Sequence, residues 1–305
     1  MVKPIGASLY VPATHKHLME VASGTRLAHV RSLIMCTEDA VAERELSYAM
    51  FNLSLVLAHM PAASTAERFV RVRNQEVMAR VLAMPGADKL TGFVIPKATQ
   101  YNLAAYCKLV RDTRHVLMPT LETAEVFDDD EMRALRRLIE APGIRERVLA
   151  LRIGGNDLLS LLGLRRPRNM TLYRTPLGPV IARLVTTFRP HGFALTAPVF
   201  EHLDLPELLS EEVAEDLAYG MVGKTAIHPS QIAAIESHYR VSAGDLRAAA
   251  AILHPDSPAV FAMDQSMCEV ATHRAWAEST LARSRLFGSH PEQNQLPPTV
   301  LNSPH

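Results

Sequence analysis

The stretch Gly92–Met118, GFVIPKATQYNLAAYCKLVRDTRHVLM, contains the pattern that decides the fold. It begins with the short apolar run Gly92–Ile95 and ends with a second apolar run, Val116–Met118. Between them lies the amphipathic segment Gln100–Val110. A helical pattern between two short apolar runs predicts a strand, a helix and a second strand parallel to the first. The stretch therefore predicts one βαβ unit.

The same alternation continues in both directions along the chain. Eight candidate strands within about 230 residues fit a closed (β/α)8 barrel better than an open doubly wound sheet. The absence of a G-x-G-x-x-G or G-x-x-x-x-G-K-[ST] motif weakens a nucleotide-binding alternative. The predicted strands are Ser8–Val11, Val30–Met35, Arg68–Val72, Gly92–Ile95, Val116–Met118, Val148–Ile153, Phe193–Thr196 and Met221–Ile227. The predicted helices between them include Val41–His59, Gln75–Met84, Gln100–Val110, Asp129–Ile139, Leu177–Phe188 and Pro206–Leu217.

The pattern changes beyond the eighth strand. Ser242–Leu253 and Ala259–Leu286 have helical periodicity, and the polar, proline-containing stretch Ser289–His305 has none. We therefore expect an α/β protein, a (β/α)8 TIM barrel with a C-terminal helical extension. The expected divisions are a catalytic barrel over residues 1–240, a helical arm over 241–288 and a flexible tail over 289–305.

Charge and composition exclude several classes of protein. The chain has 32 basic and 32 acidic residues, so it lacks the strong field that nucleic-acid and membrane-surface binders usually carry. No segment approaches the roughly 20 uninterrupted apolar residues of a membrane span, and the N-terminus has no signal-peptide pattern. Three cysteines without C-x-x-C spacing disfavour disulfides and zinc. We expect a cytoplasmic protein that binds neither nucleic acid nor membrane.

Polar residues collect at the ends of the predicted strands. In a barrel of this kind the chemistry lies at the carboxyl ends of the strands, so these side chains should face one mouth. Any one of them alone is as well explained by a structural ion pair, but their occurrence on six strand ends favours a functional site. They are Glu38, Asp39, Arg71, Arg73, Lys97, Glu122, Asn156, Asp157, Lys224 and His228.

Two of these acids suit a metal ion. Glu122 and Asp157 follow adjacent strands, and Mg²⁺ is typically held by one or two carboxylates while waters and substrate oxygens complete its shell. Gly154 and Gly155 would allow the backbone to approach a ligand closely.

The ordered set of motifs resembles the HpcH/HpaI aldolase and citrate lyase beta-subunit-like superfamily of metal-dependent carbon–carbon lyases. The resemblance extends over the whole predicted barrel, and its strength lies in seven short motifs that occur in the right order. They are Ser8-Leu9-Tyr10-Val11-Pro12, Glu38-Asp39-Ala40-Val41, Val70-Arg71-Val72, Ile95-Pro96-Lys97, Leu121-Glu122-Thr123, Gly154-x-x-Asp157-Leu158 and Lys224-x-x-Ile227-His228-Pro229-x-Gln231.

The resemblance implies a barrel that assembles as a homotrimer or hexamer, with C-terminal helices contacting a neighbour. It implies Mg²⁺, or Mn²⁺ in its place, and a keto-acid or hydroxy-acid substrate that could be a coenzyme A ester. The implied roles are as follows: Glu122 and Asp157 are metal ligands, Arg71 grips the keto acid, Glu38 and Asp39 order the metal's water shell, Lys224 and His228 shape the last strand and bind substrate, and Glu269 completes a neighbour's site. Lys97 is the remaining predicted catalytic residue.

The chain also departs from that family. Ala7 stands where many relatives have arginine, Arg73 where asparagine is common, and Asn156 where glutamate is frequent. The segment Leu164–Gly178 is unusually basic. Arg165 and Arg166 in that segment are predicted to bind a substrate anion, since arginine forks suit carboxylates and phosphates. The alternative is a solvated loop whose arginines pair with local acids.

Three hypotheses about function follow from these residues. The first is a Mg²⁺-dependent carbon–carbon lyase or aldolase that cleaves or forms a β-hydroxy acid or acyl ester. The second is a Schiff-base aldolase, for which only Lys97 and Lys224 lie at strand ends among six lysines. The third is a non-catalytic barrel that binds a partner.

Overall fold

The computed structural model describes residues 3–290 of the chain. Within this range eight parallel strands form one sheet in the order β7-β6-β5-β4-β3-β2-β1-β8. The strands are β1 Gly6–Pro12, β2 Ser32–Cys36, β3 Glu67–Arg71, β4 Gly92–Ile95, β5 Val116–Leu121, β6 Leu151–Ile153, β7 Leu195–Thr196 and β8 Gly223–Ala226.

The sheet closes on itself between β7 and β8. The Ala197 amide donates to the Gly223 carbonyl at 2.8 Å, and the Val222 amide donates to the Leu195 carbonyl at 2.9 Å. Strand β1 pairs in parallel with both β2 and β8. The predicted (β/α)8 barrel is therefore confirmed, and strand β4 has the predicted bounds.

Helices follow the strands and pack outside them. The interior of the barrel is filled by apolar side chains from successive strands, including Ile34, Phe69, Val94 and Met118. No helix in residues 3–290 combines the length and apolar character that a membrane span requires. The helices that accompany the barrel are α1 Leu18–Ser23, α2 Leu46–His59, α3 Gln75–Leu82, α4 Leu103–Leu109, α5 Asp129–Glu140, α6 Gly155–Leu161, α7 Leu177–Phe188, α8 Pro206–Ala218 and α9 Ser230–Tyr239.

The chain divides into two compact units, and the C-terminal one begins at Tyr239. It contains α10 Ala243–Leu253, the antiparallel strands β9 Val260–Met263 and β10 Ser266–Glu269, and α11 Val270–Phe287. Its core joins the two helices to the strand pair through small and apolar side chains. These are Ala249, Ile252, Cys268 and Ala277.

The prediction of one helix over Ala259–Leu286 is wrong. A hairpin occupies its first third, because Val260 and Phe261 favour extended backbone and the two turn residues leave the right-handed region. Asp264 and Gln265 have φ values of 47° and 61°, the paired left-handed conformation of a tight two-residue hairpin turn. Only α11 retains the predicted helix.

The predicted tail over 289–305 lies mostly outside the described residues, which end at His290. Its first two residues continue a backbone pairing with the segment before α10. Ser289 forms a parallel bridge with Val241. The His290 amide donates to the Val241 carbonyl at 2.8 Å.

Candidate active site

One cavity of about 310 Å³ opens at the carboxyl ends of the barrel strands. Its wall carries more acids than bases, as expected for a site that receives a cation together with a substrate. The lining residues are Tyr10, Cys36, Asp39, Ala40, Arg71, Thr120, Glu122, Arg152, Ile153, Gly154, Gly155, Asn156, Asp157, Val199, Glu201, Thr225 and Ile227.

Arg71, the last residue of β3, gathers the acids on one side of the cavity. Its Nη2 atom lies 2.8 Å from Glu38 Oε2, 2.9 Å from Asp39 Oδ2 and 3.2 Å from Glu122 Oε1. The Thr37 amide donates to the Arg71 carbonyl at 2.9 Å, which fixes the end of β2 beside the end of β3. One guanidinium nitrogen therefore holds three carboxylates together. Arg73 lies two residues beyond the end of β3 and points away toward Glu43 and the Val41 carbonyl.

Lys97 takes part in the same network through its backbone and its side chain. Its φ of 49° turns its amide toward Glu122 Oε1, 2.8 Å away. Its Nζ lies 3.1 Å from Glu38 Oε1. Burial alone would lower the pKa of Lys97, but the hydrogen bond to Glu38 and the Asp39 charge raise it above its ordinary value. The side chain is therefore a firmly protonated cation at neutral pH.

Glu122 follows β5 and is nearly inaccessible to solvent. Burial raises the pKa of Glu122 to about 7, and the Asp157 carboxylate adds to this rise, while Arg71 and the Lys97 amide oppose it. Gly154 makes the close approach possible, because a Cβ atom at this position would lie 2.4 Å from Glu122 Oε2. Asp157 lies in the first turn of α6 and lines the same cavity. The Gly154–Asp157 segment thus places its carboxylate near Glu122.

The donors at this place fit a hard divalent cation. Within residues 3–290 no group of three or more His, Cys, Asp or Glu side chains gathers as a metal cluster, so a metal would depend on a pair. Both hydrogen bonds to Glu122 end on Oε1, and burial raises the pKa of this carboxyl. Two carboxylates beside an open cavity are the protein donors that Mg²⁺ requires.

A second polar group in the cavity was missed by the sequence reasoning. Arg152 lies in the middle of β6, and its guanidinium carbon stands 5.4 Å from the centre of the Tyr10 ring. Its Nη2 atom donates to Thr225 Oγ1 on β8. The sequence does point to this residue, because an arginine inside the otherwise apolar run Val148–Ile153 is unexpected in a barrel strand.

Two predicted substrate-binding residues lie elsewhere. Arg166 and Lys224 are buried against helix α8, where Arg166 Nη1 is 2.6 Å from Glu212 and Lys224 Nζ is 2.9 Å from both Glu212 and Asp216. Neither side chain lines the cavity. The prediction of a substrate-binding role for these two residues is corrected, because they form an internal ion cluster. Lys224 faces away from the cavity because adjacent strand residues face opposite ways and Thr225 takes the inward position.

The remaining predicted residues are at the edge of the site or outside it. Arg165 is almost fully exposed and lies 3.9 Å from Glu201, a cavity residue. His228 is exposed and its ring is 2.8 Å from the Ser230 hydroxyl. Glu269 ends β10 in the C-terminal unit, where its amide donates to His273 Nδ1 at 3.1 Å. Its role in a neighbouring subunit stays a prediction.

Comparisons with known proteins agree with this fold. A family model described as C-C_Bond_Lyase of the TIM-Barrel fold matches residues 2–289. A (3S)-malyl-CoA thioesterase of Cereibacter sphaeroides is 27% identical over 234 residues, which cover 75% of each chain.

Two solved structures share the fold. The protein CitE of Mycobacterium tuberculosis, in complex with magnesium, acetoacetate and coenzyme A, has a TM-score of 0.68 at 23% identity over 93% of this chain and 98% of that one. Haloferax volcanii malate synthase, in a magnesium and glyoxylate complex, has a TM-score of 0.63 at 15% identity over 92% and 88%. Since the family model covers almost the whole chain, the protein belongs to the carbon–carbon bond lyases of the TIM-barrel fold.

Proposed function

We propose that this lyase cleaves a β-hydroxy acid, or its coenzyme A ester, in a reversible magnesium-dependent reaction. The observation that carries the proposal is that Glu122, Asp157 and Arg71 line one cavity at the carboxyl ends of the strands. Mg²⁺ is the proposed metal, with Mn²⁺ as a substitute, because Glu122 and Asp157 offer carboxylate oxygen donors. The magnesium and coenzyme A in the CitE complex support the choice of both ligands.

The chain's own residues divide the chemistry among them. Glu122 and Asp157 would hold the metal, which supplies Lewis acidity toward a substrate carbonyl. Arg71 places a fixed positive charge on the same side of the cavity, where negative charge develops as the carbon–carbon bond breaks. Glu38, Asp39 and Lys97 keep that guanidinium in place through the ion pairs described above.

The proton and electron balance of cleavage is simple. A base removes the proton of the β-hydroxyl group, the bond between the α and β carbons breaks, and its electron pair passes to the α carbon. That carbon then takes up a proton, which leaves an oxo acid or aldehyde and a shortened acid or thioester. The base is either Glu269 from a second copy of the chain or a water molecule ordered in the cavity beside Asp39.

Thioester hydrolysis is a second candidate, favoured by the name of the relatives that are 27–28% identical. The two reactions give different products from a β-hydroxyacyl thioester. Hydrolysis releases a free thiol and the intact hydroxy acid. Carbon–carbon cleavage releases an oxo compound and leaves the thioester bond intact. Parallel assays for thiol and for carbonyl product with malyl-CoA therefore separate them.

The decisive experiment combines calorimetry and turnover. We expect Mg²⁺ to bind the wild-type protein, and Glu122→Gln and Asp157→Asn each to abolish detectable binding and to lower the rate of carbonyl formation by about 10²–10⁴. Asp130→Asn, on the exposed face of α5, is the matched control and should change neither quantity. Unchanged Mg²⁺ binding in both variants would favour a non-catalytic barrel and would refute the proposal.

The Schiff-base alternative is disfavoured by the ion pairs of both lysines. A Schiff-base lysine must lose its proton near neutral pH, and this requires a lowered pKa. Burial would lower the pKa of Lys224, but Asp216 and Glu212 raise it, and Lys97 is raised in the same direction. Borohydride treatment in the presence of pyruvate should leave both lysines unmodified. A covalent adduct on either would replace the metal mechanism.

A further inference from the structure

The two arginines that line the cavity differ in their partners. Arg71 is engaged by three carboxylates. Arg152 has no carboxylate within ion-pair distance among residues 3–290, although it is only 2% exposed. An ion taken out of water without a counter-charge is unfavourable even after the surroundings relax. A buried arginine of this kind, facing a cavity, points to a counter-ion that arrives with a ligand.

Neighbouring side chains hold the Arg152 guanidinium in place without neutralising it. The guanidinium lies over the ring of Tyr10, and Thr225 accepts a hydrogen bond from Nη2. On its inner side Nη1 lies 3.9 Å from the sulfur of Met118, a residue of the barrel core. The guanidinium therefore lies between the apolar core and the cavity, preorganised for a ligand on the cavity side.

Thr120 supplies a second buried polar group that is available to a ligand in the same cavity. It is the register partner of Arg152 across β5 and β6, so both side chains lie on one face of the sheet. Its hydroxyl oxygen is buried, lines the cavity and has no hydrogen-bond partner among the residues that the structure describes. A buried hydroxyl normally finds a partner, so this one is an available donor beside an available cation.

We propose that Arg152, together with the hydroxyl of Thr120, is a carboxylate-binding subsite that selects hydroxyacyl substrates with a carboxylate on their hydroxyl-bearing carbon. The planar guanidinium matches a carboxylate in a two-pronged hydrogen bond. A cavity of about 310 Å³ accommodates a small acid. The anion subsite stands on these contacts alone, whereas the substrate class rests on the proposed lyase function.

Two small acids form the matched probe pair for this subsite. Malate and 3-hydroxybutyrate differ at the hydroxyl-bearing carbon, where malate has a carboxylate and 3-hydroxybutyrate a methyl group. Calorimetry in the presence of a chelator removes any contribution from a metal. We expect the wild type to bind malate at least tenfold more tightly, and Arg152→Met to weaken malate binding by about 10- to 100-fold while 3-hydroxybutyrate is unaffected.

Two further variants keep the test interpretable. Arg133→Met removes a half-exposed arginine on α5 and should leave both affinities unchanged. Arg152→Lys keeps the charge and should retain part of the malate preference. Thermal denaturation reports folding: malate should raise the melting temperature of the wild type but not that of Arg152→Met, which should itself be at least as stable as the wild type. Equal wild-type affinities, or equal losses for both acids in Arg152→Met, would overturn the subsite.

Turnover separates this inference from the proposed function. If the wild type cleaves malyl-CoA in preference to 3-hydroxybutyryl-CoA and Arg152→Met loses that preference, both proposals hold. If neither thioester is cleaved but malate discrimination persists in the binding assay, the lyase proposal fails and the subsite stands. If both thioesters are cleaved equally by the wild type, the subsite fails and the lyase proposal stands.

Discussion

Glu122 couples the site to pH because its pKa is about 7 in the folded protein and 4.5 as an ordinary side chain. Between these values the folded state binds a proton that the unfolded state releases. We therefore expect the unfolding free energy of the metal-free protein to fall as pH rises from about 4.5 to about 7, by on the order of 2–3 kcal/mol. Urea denaturation at several pH values, with a chelator present, measures this decrease.

Glu122→Gln is the variant that tests this assignment, because its amide cannot ionise. The decrease in stability over the same pH window should be smaller in this variant than in the wild type. Asp130→Asn, which alters an exposed carboxylate, should leave the decrease intact. A wild-type stability that rises steadily through this window would contradict the raised pKa of Glu122.

The residues of the site differ in how far the sequence predicts them. Glu122, Asp157 and Arg71 end strands or follow them, and the barrel rule places such residues at one mouth. Arg152 was missed because a strand's interior is read as core. Lys224 was misplaced because position along β8 was considered without the inward and outward alternation, which gives Thr225 the inward face.

At the scale of elements, a buried ion cluster joins helix α8 to strand β8. Lys224 pairs with Glu212 and Asp216, and Arg166 pairs with Glu212 from the segment that follows α6. Arg166 also donates to the carbonyl of Val199, a residue that lines the cavity. The cluster therefore fixes the segment that forms one wall of the site.

Removal of one cation from this cluster should strongly destabilise the protein. Lys224→Met leaves Glu212 and Asp216 buried together with only Arg166 to offset them, and we expect a loss of about 3–5 kcal/mol in unfolding free energy. Urea denaturation at pH 7 measures it. Arg174→Met, which breaks the exposed pair with Glu211, should cost no more than about 1 kcal/mol. Equal stabilities of the two variants would refute a structural role for the cluster.

The C-terminal hairpin shows why one element could not be predicted. Helical periodicity over Ala259–Leu286 is real within α11, and the preceding residues contain no glycine or proline to interrupt it. The turn is made by Asp264 and Gln265 in a conformation for which glycine is the usual signal. Packing of Phe261 and Met263 against α10 and α11 residues compensates for the strained turn. Tertiary contacts thus override local preference.

At the scale of the whole molecule, the expected trimer or hexamer stays a prediction. The C-terminal unit exposes several large apolar side chains, with Val260 55%, Met267 63% and Trp276 42% accessible. Met267 and Trp276 line one cavity of this unit, and exposed apolar groups that lie together are typical of interaction surfaces. A single chain of 33.6 kDa leaves this surface in water, and self-association would cover it.

Sedimentation velocity tests this expectation directly. We expect the wild type to sediment with three or six times the mass of one 33.6 kDa chain, and Met267→Glu and Trp276→Glu to shift it toward the monomer, because a charge in an apolar interface loses its hydration. Tyr101→Glu, at a 72% exposed position of the barrel, is the control and should leave the mass unchanged. Trp276 is the chain's one tryptophan, so its emission should also shift on dilution as the assembly dissociates. A wild type that sediments as a monomer at all concentrations would contradict this expectation. Glu269 would then be excluded as a base supplied by a second copy.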